Sequence, residues 1–268
     1  MSKPVHNCAP ALSADQRFLY IAVSNGNGSN FGVGYLVRID TRTMVAAGKV
    51  RLKDPAYPAN DAYLPDAGTA TPTVGPDGDV YFGVLENPFA YHHARGWLLH
   101  FNSFLSVKKT PGSFGWDDTA SVVPASAVPS YAGSSSYLLL CKYNNYHGIG
   151  GDGVNKVGIL DPFATMTDPY SGATVMNEVI TVAGVTPDPT LPDVREWCIN
   201  TAAVDPAGKC AIINSEDGKV YKWDFTTNSL SEAVTLTGGI GEAYTSTIIG
   251  VDGTAYAINN ATLFAVGR

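Results

Sequence analysis

A line of four short β-prone runs returns along this chain, and that recurrence leaves few architectures open. Its clearest copy begins at Asn200, with Thr201–Val204 followed by the turn residues Asp205, Pro206, Ala207 and Gly208. Cys210–Asn214 comes next, then Asp217 and Gly218, then Val220–Asp224, and finally Ala233–Thr237. Each run alternates or is β-branched and closes on a turn signal, so the copy reads as four antiparallel strands in about 40 residues. The first strand of the line recurs at Ala9–Ser13, Thr71–Gly75, Ala120–Val123 and Ser246–Gly250. The third recurs at Leu36–Asp40, Leu98–Asn102, Val157–Asp161 and Leu263–Gly267. An Asp or Asn closes all of these third strands but the last, where an Asx turn hands the chain into the next hairpin.

The copies, at approximately 6–54, 60–115, 116–184, 195–239 and 241–268, predict an all-β chain. The architecture expected is one β-propeller domain over 1–268, with five blades of three to four antiparallel strands. Spacing between copies is uneven, and the excess falls in connections between strands, where insertions are tolerated. No composition shift marks a linker. The last copy ends after its third strand, which predicts either a three-stranded closing blade or a piece of a longer propeller. Charged residues are 15% of the chain and apolar ones 45%, a balance that suits short strands and tight turns better than long surface helices.

Several partners are excluded on chemistry. The net charge is −7 and no basic run exceeds Lys108–Lys109, so a nucleic-acid backbone has nothing to bind. No apolar stretch approaches the roughly 20 residues that cross a bilayer, and no membrane contact is expected. The first residues lead almost directly into a strand, without the pattern of a signal peptide. The chain is read as a monomer. Cys8, Cys141, Cys198 and Cys210 form no CxxC pair or zinc knuckle and are read as buried small hydrophobes, with Cys210 opposite Ala203 in its hairpin. The Gly148–Gly153 run lacks the Lys-Ser/Thr and the following helix of a phosphate loop, and is read as a connection.

In a propeller the segments entering the inner strands converge on one channel mouth. Those segments supply Asn7; Trp116, Asp117 and Asp118; Glu196, Trp197 and Asn200; and Glu242 and Tyr244. The same face receives His92 and Arg95 from the second repeat, and Asn144, Asn145 and His147 from the third. An oxygen-rich cluster of this kind suits Ca²⁺ or another divalent cation, with Asn7, Asp118, Asn200 and Glu242 as the ligands nominated. His147, Asp117 and Glu196 are the acid/base candidates. Trp116, Trp197, Tyr244, Asn144, Asn145, His92 and Arg95 would line the substrate pocket. The alternative for any single residue of the set is structural: Asp and Asn before a strand serve as Asx-turn acceptors for free backbone N–H groups, and acids at loop tips are simply solvated.

The Asp217–Asp224 line resembles the repeats of the bacterial pyrroloquinoline-quinone-like propellers, which implies a propeller fold and favours a secreted or periplasmic location. Quinoprotein dehydrogenases of that superfamily have more blades and a vicinal cysteine pair. This chain has neither, and its acidic mouth is a poor seat for a tricarboxylate cofactor, so pyrroloquinoline quinone is not expected. In position alone, the set Asn7, Asp118, Asn200 and Glu242 is similar to the metal site of gluconolactonase- and paraoxonase-type propeller hydrolases. That similarity implies metal-assisted hydrolysis of a small ester, lactone or phosphoester. The alternative is a non-catalytic binding module for a small ligand or a protein partner.

Overall fold

The computed structural model describes residues 3–26, 31–66, 68–239, 241 and 243–267. Among these, the strands form five antiparallel sheets, each built from strands that follow one another in the chain. The first sheet holds β1 (Lys3–Pro4), β2 (Ala11–Leu12), β3 (Phe18–Ser24), β4 (Gly34–Asp40) and β5 (Ala46–Arg51), with β1 and β2 sharing one edge of β3. The second holds β6 (Thr73–Val74), β7 (Val80–Val84), β8 (Trp97–Phe101) and β9 (Lys108–Gly112). The third holds β10 (Ser121–Pro124), β11 (Tyr137–Tyr143), β12 (Lys156–Thr167) and β13 (Thr174–Ala183). The fourth holds β14 (Ala203–Asp205), β15 (Cys210–Asn214), β16 (Lys219–Asp224) and β17 (Ser229–Thr235). The fifth has three strands, β18 (Ile248–Ile249), β19 (Ala255–Asn259) and β20 (Thr262–Val266). Helix among the described residues is limited to two single 3-10 turns, Ala125–Ala127 and His147–Ile149.

Each first strand and each third strand of the sequence repeat is a strand of the structure. Turn chemistry explains why they stop where they do. Asp40 accepts the N–H groups of Arg42 and Thr43, Asn102 those of Ser106 and Val107, and Asp224 those of Thr226 and Thr227. The third repeat differs. Asp161 closes no strand: its carboxylate accepts the Tyr131 hydroxyl at 2.6 Å and the Ser135 hydroxyl at 2.7 Å, and β12 runs on to Thr167. Asp168 makes the Asx turn instead, accepting the N–H groups of Tyr170 and Ser171. The Cys210 register also differs from expectation. Asp205 takes the Ala207 and Gly208 N–H groups in a tight turn, so Cys210 faces Asp205 rather than Ala203.

The chain forms two compact units, Met1–Thr119 with Phe163–Met176, and Ala120–Pro162 with Asn177–Arg268. The first has a core that includes Leu36, Val80, Phe82, Trp97 and Val175. The second has one that includes Leu138, Ile159, Trp197, Ile213 and Trp223. Strands β3 and β4 alternate buried and half-buried positions, whereas every residue of β7, β8 and β11 is buried. A strand covered on both faces needs apolar side chains at successive positions, which Trp97–Leu99 and Tyr137–Cys141 supply, while His100 and Lys142 are buried polar interruptions. Within each unit, polar rungs join successive inner strands. In the first, the Ala9 N–H donates to the Thr71 hydroxyl at 3.2 Å and the Thr71 N–H to the Thr119 hydroxyl at 2.8 Å. In the second, the Ser121 hydroxyl donates to the Ala202 carbonyl at 2.8 Å, and Thr201 bridges Ser246 in parallel.

Candidate functional sites

In the second unit the stretch ahead of β14 is held to the end of β11 by one amide. Asn144 accepts the Trp197 N–H at 3.2 Å and donates to the Trp197 carbonyl at 3.3 Å, mimicking a pair of sheet bonds. Alternation along an extended segment then sets the directions. Trp197 turns into the core, edge-on to Tyr221 at 5.7 Å. Glu196 and Cys198 turn the other way and meet Glu216 from the β15–β16 turn, with one donor atom of each within 4.8 Å of the others. The Cys198 thiol lies 3.6 Å from a Glu216 oxygen. Arg195 bridges the other Glu216 oxygen at 3.4 Å and Asp188 at 3.0 Å.

Burial raises the Glu216 carboxyl above its ordinary range, against the pull of Arg195, the Cys198 thiol and the Glu196 N–H. Burial also pushes the Cys198 thiol well up, and the charges of Glu196 and Glu216 add to it, outweighing Lys142 and the Tyr244 hydroxyl. Cys198 is therefore a thiol at neutral pH, not a standing nucleophile. A bound cation would reverse that balance by drawing off the proton. Two carboxylates and a thiolate match a three-ligand zinc centre with an open fourth position better than calcium, which takes six to eight oxygens.

Of the residues nominated from sequence, Asn144, Glu196, Trp197 and Tyr244 gather around Cys198. Asn200 is buried two residues beyond it and accepts the Thr201 hydroxyl at 3.1 Å. Asn145 is buried and holds the Gly148–Gly153 loop through Asp152 at 2.7 Å and Asn155 at 2.9 Å. His147 is exposed, its N–H on Asp193 at 3.3 Å. Glu242 lies outside the described residues. Cys198 is buried, as the sequence predicts, but it also faces acids, which the sequence reading does not anticipate. The signal that could have raised it is its i, i+2 spacing from Glu196 on a segment too polar to be a core strand.

The other nominated residues belong to the first unit. Asn7 sits in an exposed turn. Trp116 is half-buried, and Asp117, at φ +51°, accepts the Thr69 N–H at 2.9 Å. Asp118 is buried. His92 is not on an open surface. Its imidazole is fully buried, stacks on Trp97 at 4.1 Å, and engages the Gly96 carbonyl and the Asp168 carboxylate at 3.1 Å each. Arg95 is buried beside it and donates to the Ser113 carbonyl at 3.1 Å. Both side chains stand on a turn whose N–H groups, at Ala94 and Gly96, are held by the buried Glu86 carboxylate.

The first unit also carries a feature that no sequence signal singles out. Phe31, Tyr63 and Phe89 bring their rings together, with centroids 4.9 Å and 5.3 Å from Phe31, although Phe31 is 50% exposed and Phe89 46%. Two residues before Tyr63 on the same extended segment, Asp61 forms a bidentate pair with Arg51 at 3.0 and 2.7 Å. Arg51, with Lys53 beside it, holds the Asp61 carboxyl well below the usual carboxylate range.

No family model matches the chain, and no curated protein matches it in sequence. Among solved structures it is similar to the β-propeller domain of Cps50 (Swd1) from Myceliophteria thermophila, 10% identical, with a TM-score of 0.53 over 96% of this chain and 64% of that one. Saccharomyces cerevisiae Sqt1 matches at 11% identity over 100% of this chain and 62% of that one, with a TM-score of 0.49. The chain thus spans less than two thirds of the length of these two solved structures. Five successive antiparallel meanders and the likeness to the Cps50 domain give the fold: the chain is an all-β protein of the β-propeller class.

Proposed function

We propose that this β-propeller is a non-catalytic binding module that docks a protein partner on the Phe31–Tyr63–Phe89 surface of its first unit. The observation that carries the reading is the ring cluster itself. Large aromatic side chains left half in water cost solvation, and gathered together with tilted rings they form the apolar centre that partner proteins cover. The neighbouring Arg51–Asp61 pair supplies the charged rim such surfaces have. Placing a photo-crosslinking residue at Phe31 or Phe89 in the native host should trap one discrete protein, and placing it at the exposed Val251 should not. Phe31→Ser with Phe89→Ser should weaken the trapped complex at least about thirtyfold, as truncation of aromatic anchors does. The reading is sunk by equal binding of the double variant. Metal-dependent turnover of esters, lactones or phosphoesters by the purified protein would sink it too.

A second reading, metal-assisted hydrolysis, is favoured by one observation, the convergence of Glu196, Cys198 and Glu216. In this reading the metal is of the zinc type rather than calcium, because a thiolate is among the donors. A bound ion would supply Lewis-acid polarisation or an activated water.

A further inference from the structure

The first unit contains a cavity of about 210 Å³ between β9 and the loop that follows β5. Its rim carries Lys53, Lys108 and Lys109, and its walls are largely apolar, with Pro55, Pro111 and Phe101 among them. Three of the 17 basic side chains of an acidic protein thus open on one small space. A chain with net charge −7 has carboxylates to spare for neutralising such a cluster, and the pairing is nonetheless incomplete.

Ion pair by ion pair, among the described residues, one lysine of the cavity has no carboxylate partner. Lys109 pairs with Asp79, which also receives His100 at 2.9 Å. Lys53 shares Asp61, at 2.9 Å, with Arg51. Asp54 lies in the wall and keeps its charge, but its two oxygens are taken up by five neutral donors and by no lysine of the cavity. It accepts the Ala56, Tyr57 and Asn87 N–H groups, the Tyr91 hydroxyl and the Trp97 indole. Lys108 has no carboxylate partner among the described residues. Although Lys108 is exposed, its partial desolvation and the charge of Lys53 lower its pKa, so the two ammonium groups lie within each other's field. Like charges lining one largely apolar cavity form a site that an anion relieves.

We propose that this cavity binds a small organic anion, its charged group between Lys53 and Lys108 and its apolar body against the prolines. Lysine ammonium groups serve as point charges for phosphate or carboxylate alike, and neither geometry is imposed. The volume lies below that of most drug-sized pockets, which sets the ligand at about the size of a single ring with one charged substituent. The site meets the aromatic surface proposed for partner docking only at Asp61, which Lys53 shares with Arg51, and neither the anion titration nor the Phe31 and Phe89 crosslinks depend on Asp61, so either inference can fail without the other.

Isothermal titration of the intact protein with phenyl phosphate, benzoate, inorganic phosphate and phenol tests it. Phenyl phosphate and benzoate should bind and raise the melting temperature, and whichever is tighter identifies the anion class. Inorganic phosphate and phenol, each lacking one half of the ligand, should bind at least about tenfold more weakly. Lys108→Gln, at an exposed position where folding is not at risk, should lower the affinity for the organic anions about tenfold or more, and 0.5 M salt should do the same. Lys53→Gln should act in the same direction. Absence of binding at millimolar concentration, phenol binding as well as benzoate, or Lys108→Gln binding as tightly as the native protein would each overturn the proposal.

Discussion

Replacing Asp168 by Asn removes one charge from the interior of the first unit and leaves its shape intact. One oxygen of Asp168 receives the His92 imidazole at 3.1 Å, the Ser171 hydroxyl at 2.6 Å and the N–H groups of Tyr170 and Ser171. Burial alone would raise this carboxyl, but those donors outweigh it and bring its pKa from 3.8 down to about 2. Each unit of depression is worth about 1.4 kcal/mol, so the ionised carboxylate contributes about 2 kcal/mol to stability at neutral pH. The sign follows from a lowered native pKa. The contribution is whole above pH 5, about half gone near pH 3, and lost as pH falls through 2. The amide of the Asp168→Asn protein would still offer an oxygen to the turn N–H groups, so the loss isolates the charge. Urea unfolding of the native and Asp168→Asn proteins at pH 7, 4 and 3 measures it. The expected gap is about 2–3 kcal/mol at pH 7, narrowing by about 1 kcal/mol between pH 4 and pH 3. Equal stability at pH 7, or a gap that does not change with pH, would show that the carboxylate holds this turn by hydrogen bonding alone and that the electrostatic reasoning is mistaken.

Two further outcomes follow from the second unit. Asn144→Ala leaves the buried Trp197 N–H and carbonyl without their partners and should cost about 1–3 kcal/mol in urea unfolding, whereas Asn144→Asp, which buries a charge against the Trp197 carbonyl, should cost at least as much at neutral pH. If the acid–thiol cluster holds a metal, zinc should raise the melting temperature of the native protein and a chelator should reverse it. Cys198→Ser should remove the response, and a melting profile indifferent to zinc would end the hydrolase reading.

Local chemistry made the strands legible and tertiary chemistry hid the sites. Strand ends such as Asp40 and Asp224 could be read because an Asx turn is written in adjacent residues and needs nothing from elsewhere in the fold. Asp161 misled for the complementary reason. Its side chain is claimed by Tyr131 and Ser135, 30 and 26 positions away, and a carboxylate so engaged is not available to turn the chain. His92 and Arg95 carry the residue types of a catalytic site, and sequence cannot say that Glu86 caps their turn or that Asp168 reaches the imidazole across 76 positions. The same limit applies to the lysine cavity. Lys108–Lys109 was visible as the longest basic run, but only the fold brings Lys53 beside it and commits the Asp54 oxygens to five neutral donors. Charge in a sequence is a count, whereas charge in a site is a remainder left after pairing. That remainder, Lys108 here, is fixed by the tertiary contacts that decide which acids are already committed.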